Sequence, residues 1–187
     1  MLKPPPAPAL KPPLDSSRDH ILGSATAPIE LVEYGDFECP HCGRAFGIIQ
    51  QLRETFGDQV RFAYRHFPLA KMHPHARTAA MSAEAAGAQG KFWEMHDILF
   101  RHGSALEMGN VTRYAEEVGV PDIARFKADI SSEKFGPRVQ EDVASGVRSG
   151  VNGTPTFFLN GKRYNGGYDY DSMKDAIEAH LGTGRLA

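Results

Sequence analysis

The sequence predicts an α/β domain in which a long run of helices interrupts a sheet. Three observations lead to this prediction: a strand–helix–strand pattern over residues 29–66, a helical block over 72–149, and a hairpin with a helix after residue 150. A chain of 187 residues with 41% hydrophobic content is long enough to bury one sizeable core. We therefore expect a single domain that carries an inserted helical subdomain.

The first residues differ in composition from the rest. Residues 1–14 contain six prolines and two lysines, and they lack the apolar core of a signal peptide. Such a segment favours extended, solvated conformations, so we expect a disordered tail over residues 1–18. The missing signal predicts a cytoplasmic protein, or a periplasmic one if a leader has been removed.

The next part of the chain has the pattern of a βαβ unit. After a short edge strand near His20, the apolar run from Ile29 to Tyr34 is typical of a buried strand. A helical pattern follows and ends at Gly57, a natural C-terminal cap. Residues 60–66 alternate apolar and polar side chains, which predicts a strand with one covered face. The crossover should be right-handed, with parallel strands.

The block from residue 72 to 149 favours helices throughout. Its first segment, residues 76–86, is rich in alanine and has strong helix propensity. Later segments repeat apolar residues every three or four positions, as helices with one buried face do. No segment of the block has the pattern of a strand, so we expect an all-helical insertion.

The sheet resumes after the insertion. Residues 156–159 form an apolar strand pattern, and Asn160-Gly161 is a favoured dipeptide of a tight hairpin. The return strand covers residues 162–164, and a final helix is predicted over residues 170–181. The chain therefore ends in a ββα unit.

The two cysteines of the chain, Cys39 and Cys42, stand at the start of the first long helix. Unpaired amide groups and the positive end of the helix dipole stabilise a thiolate there. The first cysteine is then nucleophilic near neutral pH, and the second can close a disulfide with it. His41 adds to this effect whenever it is protonated.

Two other interpretations of the cysteine pair carry less weight. A structural zinc site needs four ligands, and the sequence has no second cysteine pair. The histidines elsewhere match no compact ligand spacing. A pair of inert core cysteines is a poor explanation for thiols that bracket Pro40 and His41. We expect redox chemistry without a metal or cofactor.

Charge and hydropathy exclude several classes of partner. A formal net charge of −2 provides no electrostatic footprint for nucleic acid or an anionic membrane. No apolar run approaches the roughly 18 residues that a membrane span requires. We therefore expect a monomer that binds no nucleic acid and does not insert into membranes.

The order of these features resembles the thioredoxin superfamily. Cys39-Pro40-His41-Cys42 follows the first long strand, and Gly153-Thr154-Pro155-Thr156 precedes the third. The helical insertion narrows the resemblance to DsbA-like thiol–disulfide oxidoreductases. It implies a thioredoxin fold over residues 19–71 and 150–187, with the all-helical insertion 72–149 between its βαβ and ββα halves.

The resemblance also implies roles for individual residues. Cys39 would be the exposed attacking thiol and Cys42 the buried resolving thiol. Pro155 would be a cis-proline beside the disulfide, with the Thr154 backbone free to pair with an extended substrate. A trans proline that starts a strand is the alternative.

Three more residues are candidates for the site. Glu33, six residues before Cys39, would be a buried acid with a raised pKa that exchanges a proton with Cys42. A solvent-facing or ion-paired Glu33 is the alternative. Phe37 is a candidate for an exposed contact with substrate, as is Pro40 within the motif itself.

These features favour a protein disulfide oxidoreductase that works through a mixed disulfide. Its partners would be protein or peptide thiols and disulfides, together with an unidentified redox partner that recycles it. The sequence leaves the direction open between oxidase, reductase and isomerase. Two alternatives remain: a kappa-type glutathione-dependent transferase or isomerase, and a non-catalytic binding or chaperone module.

Overall fold

The structure is a computed structural model and describes residues 8–183. Its strands are β1 (His20–Leu22), β2 (Ile29–Gly35), β3 (Val60–His66), β4 (Thr156–Leu159) and β5 (Lys162–Tyr164). Its helices are α1 (Pro40–Phe56), α2 (Ala76–Gly87), α3 (Phe92–Arg101), α4 (Met108–Glu117), α5 (Ile123–Ser131), α6 (Gly136–Arg148) and α7 (Tyr170–Thr183), with a 3₁₀ turn at Gly57–Gln59. The element order is the predicted one.

The five strands form one mixed sheet in the order β1-β3-β2-β4-β5. Strands β2 and β3 are parallel, and the other neighbouring pairs are antiparallel. Strand β2 is hydrogen-bonded on both sides, and Glu33 lies opposite Tyr64 of β3 and Phe157 of β4. The centre of the sheet therefore ends where the two cysteines begin.

Both faces of the sheet are covered. Leu31 of β2 belongs to the larger apolar cluster, which includes side chains of α1, α3 and α7. Val32 and Tyr34 point to the other face and belong to a smaller cluster with Phe158. Strand β3 is buried on both faces too, so the prediction that only one of its faces is covered was wrong. The charged Arg65 is fully buried because it has partners there.

The amino-terminal segment also differs from its prediction. Residues 8–18 pack against the sheet edge, and Leu10 is only 5% exposed. The Leu10 amide donates to the carbonyl of Gly161, and the Arg163 amide donates to that of Pro8. Composition predicted disorder because such a segment favours extended, solvated conformations, but its proline carbonyls accept hydrogen bonds here. Residues 1–7, the rest of the predicted tail, lie outside the described residues.

Helix α1 places the cysteines. Cys39 is its N-cap residue, with extended backbone angles (φ −75°, ψ 121°), and Pro40 occupies the first helical turn, where a missing amide costs nothing. Gly57 ends the helix at φ +50°, a conformation that glycine adopts readily. Within residues 8–183 no helix is both long enough and apolar enough to cross a membrane.

Candidate active site

Cys39 and Cys42 lie one helical turn apart, and both are unbonded thiols. Cys42 has no exposed surface, whereas Cys39 is 6% exposed. The prediction of an exposed Cys39 is therefore corrected to a largely buried thiol with a narrow opening. The loop before β4 lies against it, since its Sγ is 3.6 Å from the carbonyl oxygen of Thr154.

The surroundings of Cys39 favour its thiolate. A hydrogen bond from the Cys42 thiol contributes most to this effect, and the backbone amides of Cys42 and His41 and the side chain of Thr154 add to it. Together they outweigh burial and lower the pKa of Cys39 to about 5. The Thr154 hydroxyl has no conventional hydrogen-bond partner within the described chain, which leaves it available to the sulfur.

The surroundings of Cys42 have the opposite effect. Burial raises the pKa of its thiol far above the ordinary range, and its hydrogen bond to the Cys39 sulfur raises it further. Glu33 acts in the same direction when it is ionised. At neutral pH the pair therefore holds one negative charge on Cys39 and one proton on Cys42.

Glu33 is the buried acid that the sequence predicted, with 2% of its surface exposed. Burial raises its pKa to about 8, and the charge of Cys39 contributes to the rise. Its Oε1 atom and the Tyr64 hydroxyl have no hydrogen-bond partner within residues 8–183. A Cβ atom at Gly35 would lie 2.9 Å from the Tyr64 hydroxyl and 3.0 Å from Glu33 Oε1, so glycine leaves room for both groups.

The Thr154–Pro155 peptide bond is cis in the structure. The loop is tied to the start of β4 by the Thr156 hydroxyl, which donates to the Gly153 carbonyl over 2.7 Å. Pro155 is half-buried, and Pro40 on the other side of Cys39 is exposed. Pro40 thus follows Cys39 directly, and Pro155 follows the residue whose carbonyl lies against the Cys39 sulfur.

His41 is exposed, and two side chains contact its ring. The guanidinium of Arg44 and the hydroxyl of Tyr168 each lie 2.8 Å from its Nδ1 atom. A guanidinium only donates hydrogen bonds, so Nδ1 accepts the bond from Arg44. The backbone amide of His41 also supports the Cys39 thiolate.

Phe37 was predicted to be an exposed contact with substrate, and this prediction was wrong. Its side chain is 2% exposed and packs with the rings of Tyr64, His96 and Phe100. The charged neighbours of Phe37 in sequence suggested exposure. The end of a buried strand instead directs its ring into the core.

Asp36 is a site residue that the sequence did not reveal. Its buried carboxylate accepts hydrogen bonds from the amides of Glu38 and Leu69 and lies 2.7 Å from Nδ1 of His73. Its carbonyl oxygen accepts the amide of Cys39 at 3.1 Å. Asp36 therefore joins the cysteine loop to the segment between β3 and α2.

Tyr64, Arg44 and Tyr168 were missed as well. The register of the parallel strands could have identified Tyr64, because it pairs with Glu33. No sequence pattern marks the contact of Arg44 and Tyr168 with His41. These two residues also border an open cleft of about 420 Å³ beside α1, with Ile48 and Asp169. Within residues 8–183 no cluster of three or more potential ligands could hold a metal ion.

The family model described as thioredoxin matches residues 15–179. Curated relatives include the Na(+)/H(+) antiporter NhaA 1 of Salinispora arenicola, 42% identical over 93% of this chain and 26% of the relative. The NhaA 1 of Mycobacterium sp. strain KMS is 47% identical over 89% of this chain and 27% of that protein. The chain thus spans about a quarter of the length of these relatives.

Several solved structures have the same fold. BdbD from Bacillus subtilis in its oxidised form superposes with a TM-score of 0.83 at 24% identity, over 95% of this chain and 100% of that one. A thioredoxin-like oxidoreductase from Silicibacter pomeroyi has a TM-score of 0.76 at 26% identity, over 91% and 94%. Alpha-DsbA1 of Wolbachia pipientis has a TM-score of 0.78 at 20% identity, over 92% and 96%.

These likenesses confirm the predicted fold class, a thioredoxin fold that carries a helical insertion. The family match covers both halves of the fold and the insertion between them. The chain belongs to the thioredoxin family and has the DsbA-like form of its fold.

Proposed function

We propose that this protein is a thiol–disulfide oxidoreductase that exchanges its Cys39–Cys42 pair with protein or peptide substrates. One observation carries the proposal: two thiols one helical turn apart have opposite proton affinities. The pKa of Cys39 is about 5 and that of Cys42 is raised. A thiolate is the nucleophile in disulfide exchange, and a thiol with a low pKa is the better leaving group.

Reduction of a substrate disulfide begins at the Cys39 thiolate. It attacks one sulfur of a substrate disulfide, the substrate S–S bond breaks, and the other substrate sulfur leaves as a thiolate. A mixed disulfide then joins Cys39 to the substrate. In this proposal the Thr154 backbone, which lies beside Cys39, pairs with an extended substrate segment, and Pro40 and Pro155 contact the substrate.

Resolution requires a thiolate at Cys42. Formation of the mixed disulfide removes the negative charge from Cys39, which contributes to the raised pKa of Glu33. The carboxyl of Glu33 then ionises more readily and can accept the Cys42 proton. The Cys42 thiolate attacks Sγ of Cys39 and releases the second substrate thiol. Two electrons have moved from the protein to the substrate, and the Cys39–Cys42 disulfide has formed.

The same steps run backwards when a substrate dithiol reduces the Cys39–Cys42 disulfide. A stabilised Cys39 thiolate favours the reduced protein, which makes the disulfide oxidising. We therefore propose that oxidation of substrate dithiols is the favoured direction. A compartment with an oxidising glutathione potential, of roughly −180 to −210 mV, would keep such a pair in its disulfide form better than the cytosol would.

Two assays with Cys39→Ser test this function: reduction of insulin by dithiothreitol, and oxidative refolding of a reduced disulfide protein. The wild-type protein should accelerate at least one of them, refolding more strongly, and Cys39→Ser should abolish both activities. Cys42→Ser should trap mixed disulfides with the substrate. Unchanged activity of Cys39→Ser would reject Cys39 as the nucleophile.

The reduction potential separates exchange chemistry from a static role. A potential below about −300 mV would indicate a structural disulfide and a non-catalytic binding module. Retention on glutathione-agarose with activity that survives Cys39→Ser would instead support a glutathione-dependent transferase. The curated relatives named as antiporters are about four times as long as the part that they share with this chain.

A further inference from the structure

The segment between β3 and α2, residues 67–75, is bound to the loop that carries Cys39. The Asp36 carboxylate has no exposed side-chain surface and accepts the Leu69 amide at 2.8 Å. Its Oδ2 atom also lies 2.7 Å from Nδ1 of His73. The Glu38 carboxylate accepts the amide of His75 at 2.7 Å. Two acidic residues on the cysteine loop thus hold the same segment.

His73 lies at this junction with 16% of its side chain exposed. The Asp36 carboxylate is in contact with it, and the carboxylate of Glu38 and the sulfur of Cys39 act on it through their charges. All three are anionic when ionised. Burial opposes a charge on His73, but the hydrogen bond and charge of Asp36, followed by the charges of Cys39 and Glu38, raise its pKa above the ordinary value.

We propose that His73 is a positioning residue for the Cys39 thiolate: its imidazolium charge stabilises the thiolate, and its bond to Asp36 fixes the cysteine loop. The inference rests on the proposed function, because it concerns the same sulfur. His73 supplies the positive charge that the sequence suggested for His41. The ring of His41 is instead engaged by Arg44 and Tyr168.

This charge coupling depends on redox state. Reduction of the Cys39–Cys42 disulfide takes two electrons, breaks the S–S bond, and leaves a thiolate on Cys39. One proton is taken up by Cys42, which becomes a thiol. The disulfide form has no negative charge on the Cys39 sulfur. His73 therefore binds its proton more tightly in the reduced protein, and by linkage the protonated His73 favours the reduced form.

An NMR titration of the histidine ring protons tests the coupling directly in the wild-type protein. The midpoint of His73 should be higher in the reduced than in the oxidised protein. His75 is the internal control, because the charge interaction of its side chain is with Glu107. Equal midpoints of His73 in both redox states would overturn the inference.

Variants test the effect on the thiolate. His73→Asn keeps an N–H donor for Asp36 but cannot become positive. It should raise the Cys39 pKa, followed as thiolate absorbance at 240 nm, and shift the equilibrium with glutathione several-fold towards the disulfide. Both effects should fade at pH values where wild-type His73 is neutral. His75→Asn should leave both quantities unchanged.

A purely structural role for His73 predicts a different result. In that case His73→Asn would retain the wild-type Cys39 pKa and glutathione equilibrium, and only His73→Ala would change them, through loss of the bond to Asp36. That pattern would reject the charge role. If the wild-type protein exchanged no disulfides while the His73 midpoints still differed, the proposed function would fail and the coupling would stand.

Discussion

At the scale of single residues, the site gives two identical side chains very different pKa values. Cys39 and Cys42 are three positions apart, yet one sulfur accepts hydrogen bonds and the other donates one. The Cys42 thiol stabilises the Cys39 thiolate most, and that thiolate in turn opposes ionisation of Cys42. The two titrations are coupled, so a change at either sulfur alters both.

Removal of the Cys42 donor should show this coupling. Hydrogen bonds to a charged group contribute about 1.5–3 kcal/mol, and one pKa unit corresponds to about 1.36 kcal/mol. We expect Cys42→Ala to raise the Cys39 pKa by about one to two units, measured by absorbance at 240 nm. Cys42→Ser retains an O–H donor and should raise it less. Equal titration curves for the two variants would contradict this account.

Glu33 gives the stability of the reduced protein a specific dependence on pH. Its pKa is about 8 in the folded protein and about 4.5 when unperturbed. Between these values the folded state binds more protons than the unfolded state, so this group makes the free energy of unfolding fall as pH rises. Below 4.5 and above 8 its contribution is constant.

We expect Glu33→Gln to remove this dependence. Urea unfolding of the reduced proteins from pH 4.5 to 9 should show a smaller decline for the variant than for the wild type. At pH 9 the variant should be the more stable of the two. Parallel curves over the whole range would mean that the carboxyl of Glu33 is not desolvated in the fold.

The sequence located some site residues and missed others for physical reasons. Glu33 could be predicted because its burial follows from the apolar strand around it. The surroundings of His41 could not, because Tyr168 is 127 residues away in sequence and only the folded chain brings it near. The contact between Asp36 and His73 spans 37 residues and joins two loops. Loops lack the periodic patterns from which contacts can be predicted.

At the scale of secondary structure, the predicted bounds were close where the apolar periodicity is clear or a glycine ends the element. Strand β3 has the predicted bounds, Val60–His66, and α1 ends at the predicted Gly57. Glycines inside α1 have a different effect. Gly47 lies mid-helix, and a Cβ atom there would meet no atom within 4 Å. Its flexibility lowers the stability of the helix that presents Cys39.

Substitution of two glycines by alanine should have opposite effects. Gly47→Ala should raise the free energy of unfolding by about 0.5–1 kcal/mol, because alanine loses less backbone entropy in a helix. Gly57→Ala should lower it, since the φ of +50° with ψ of −125° strains any residue with a Cβ atom. Urea unfolding measures both. The Cys39 pKa should stay unchanged in Gly47→Ala, and a change would show that α1 is distorted.

At the scale of the whole molecule, the segment before β1 is attached to the sheet by hydrogen bonds to its proline carbonyls. This arrangement was not predictable from composition, since a run of prolines does not show which donor its carbonyls will meet. The donor is Arg65, whose guanidinium bonds the carbonyls of Pro12 and Pro13 at 3.0 and 3.1 Å. Two more bonds, of 2.9 and 2.8 Å, join it to Asp19. Both charged side chains are fully buried.

The Arg65–Asp19 pair should therefore dominate the attachment of this segment. Asp19→Asn leaves a buried guanidinium without its counter-charge, a loss of about 3–5 kcal/mol in the free energy of unfolding. Glu133→Gln breaks the exposed pair with Arg77 and serves as the control, with an expected loss of 0 to about 1 kcal/mol. Urea unfolding at pH 7 compares the two variants with the wild type.

The effect of Asp19→Asn should also depend on pH in a defined direction. Burial alone would raise the pKa of Asp19, but its bonds to Arg65 hold that pKa below the ordinary 3.8. The stabilisation by Asp19 is therefore complete above pH 3.8 and is lost as pH falls through the lower, folded value. The wild type and Asp19→Asn should converge in stability as the pH falls through that lowered pKa. A constant difference throughout the acid range would show that the variant acts through altered packing rather than through the lost charge.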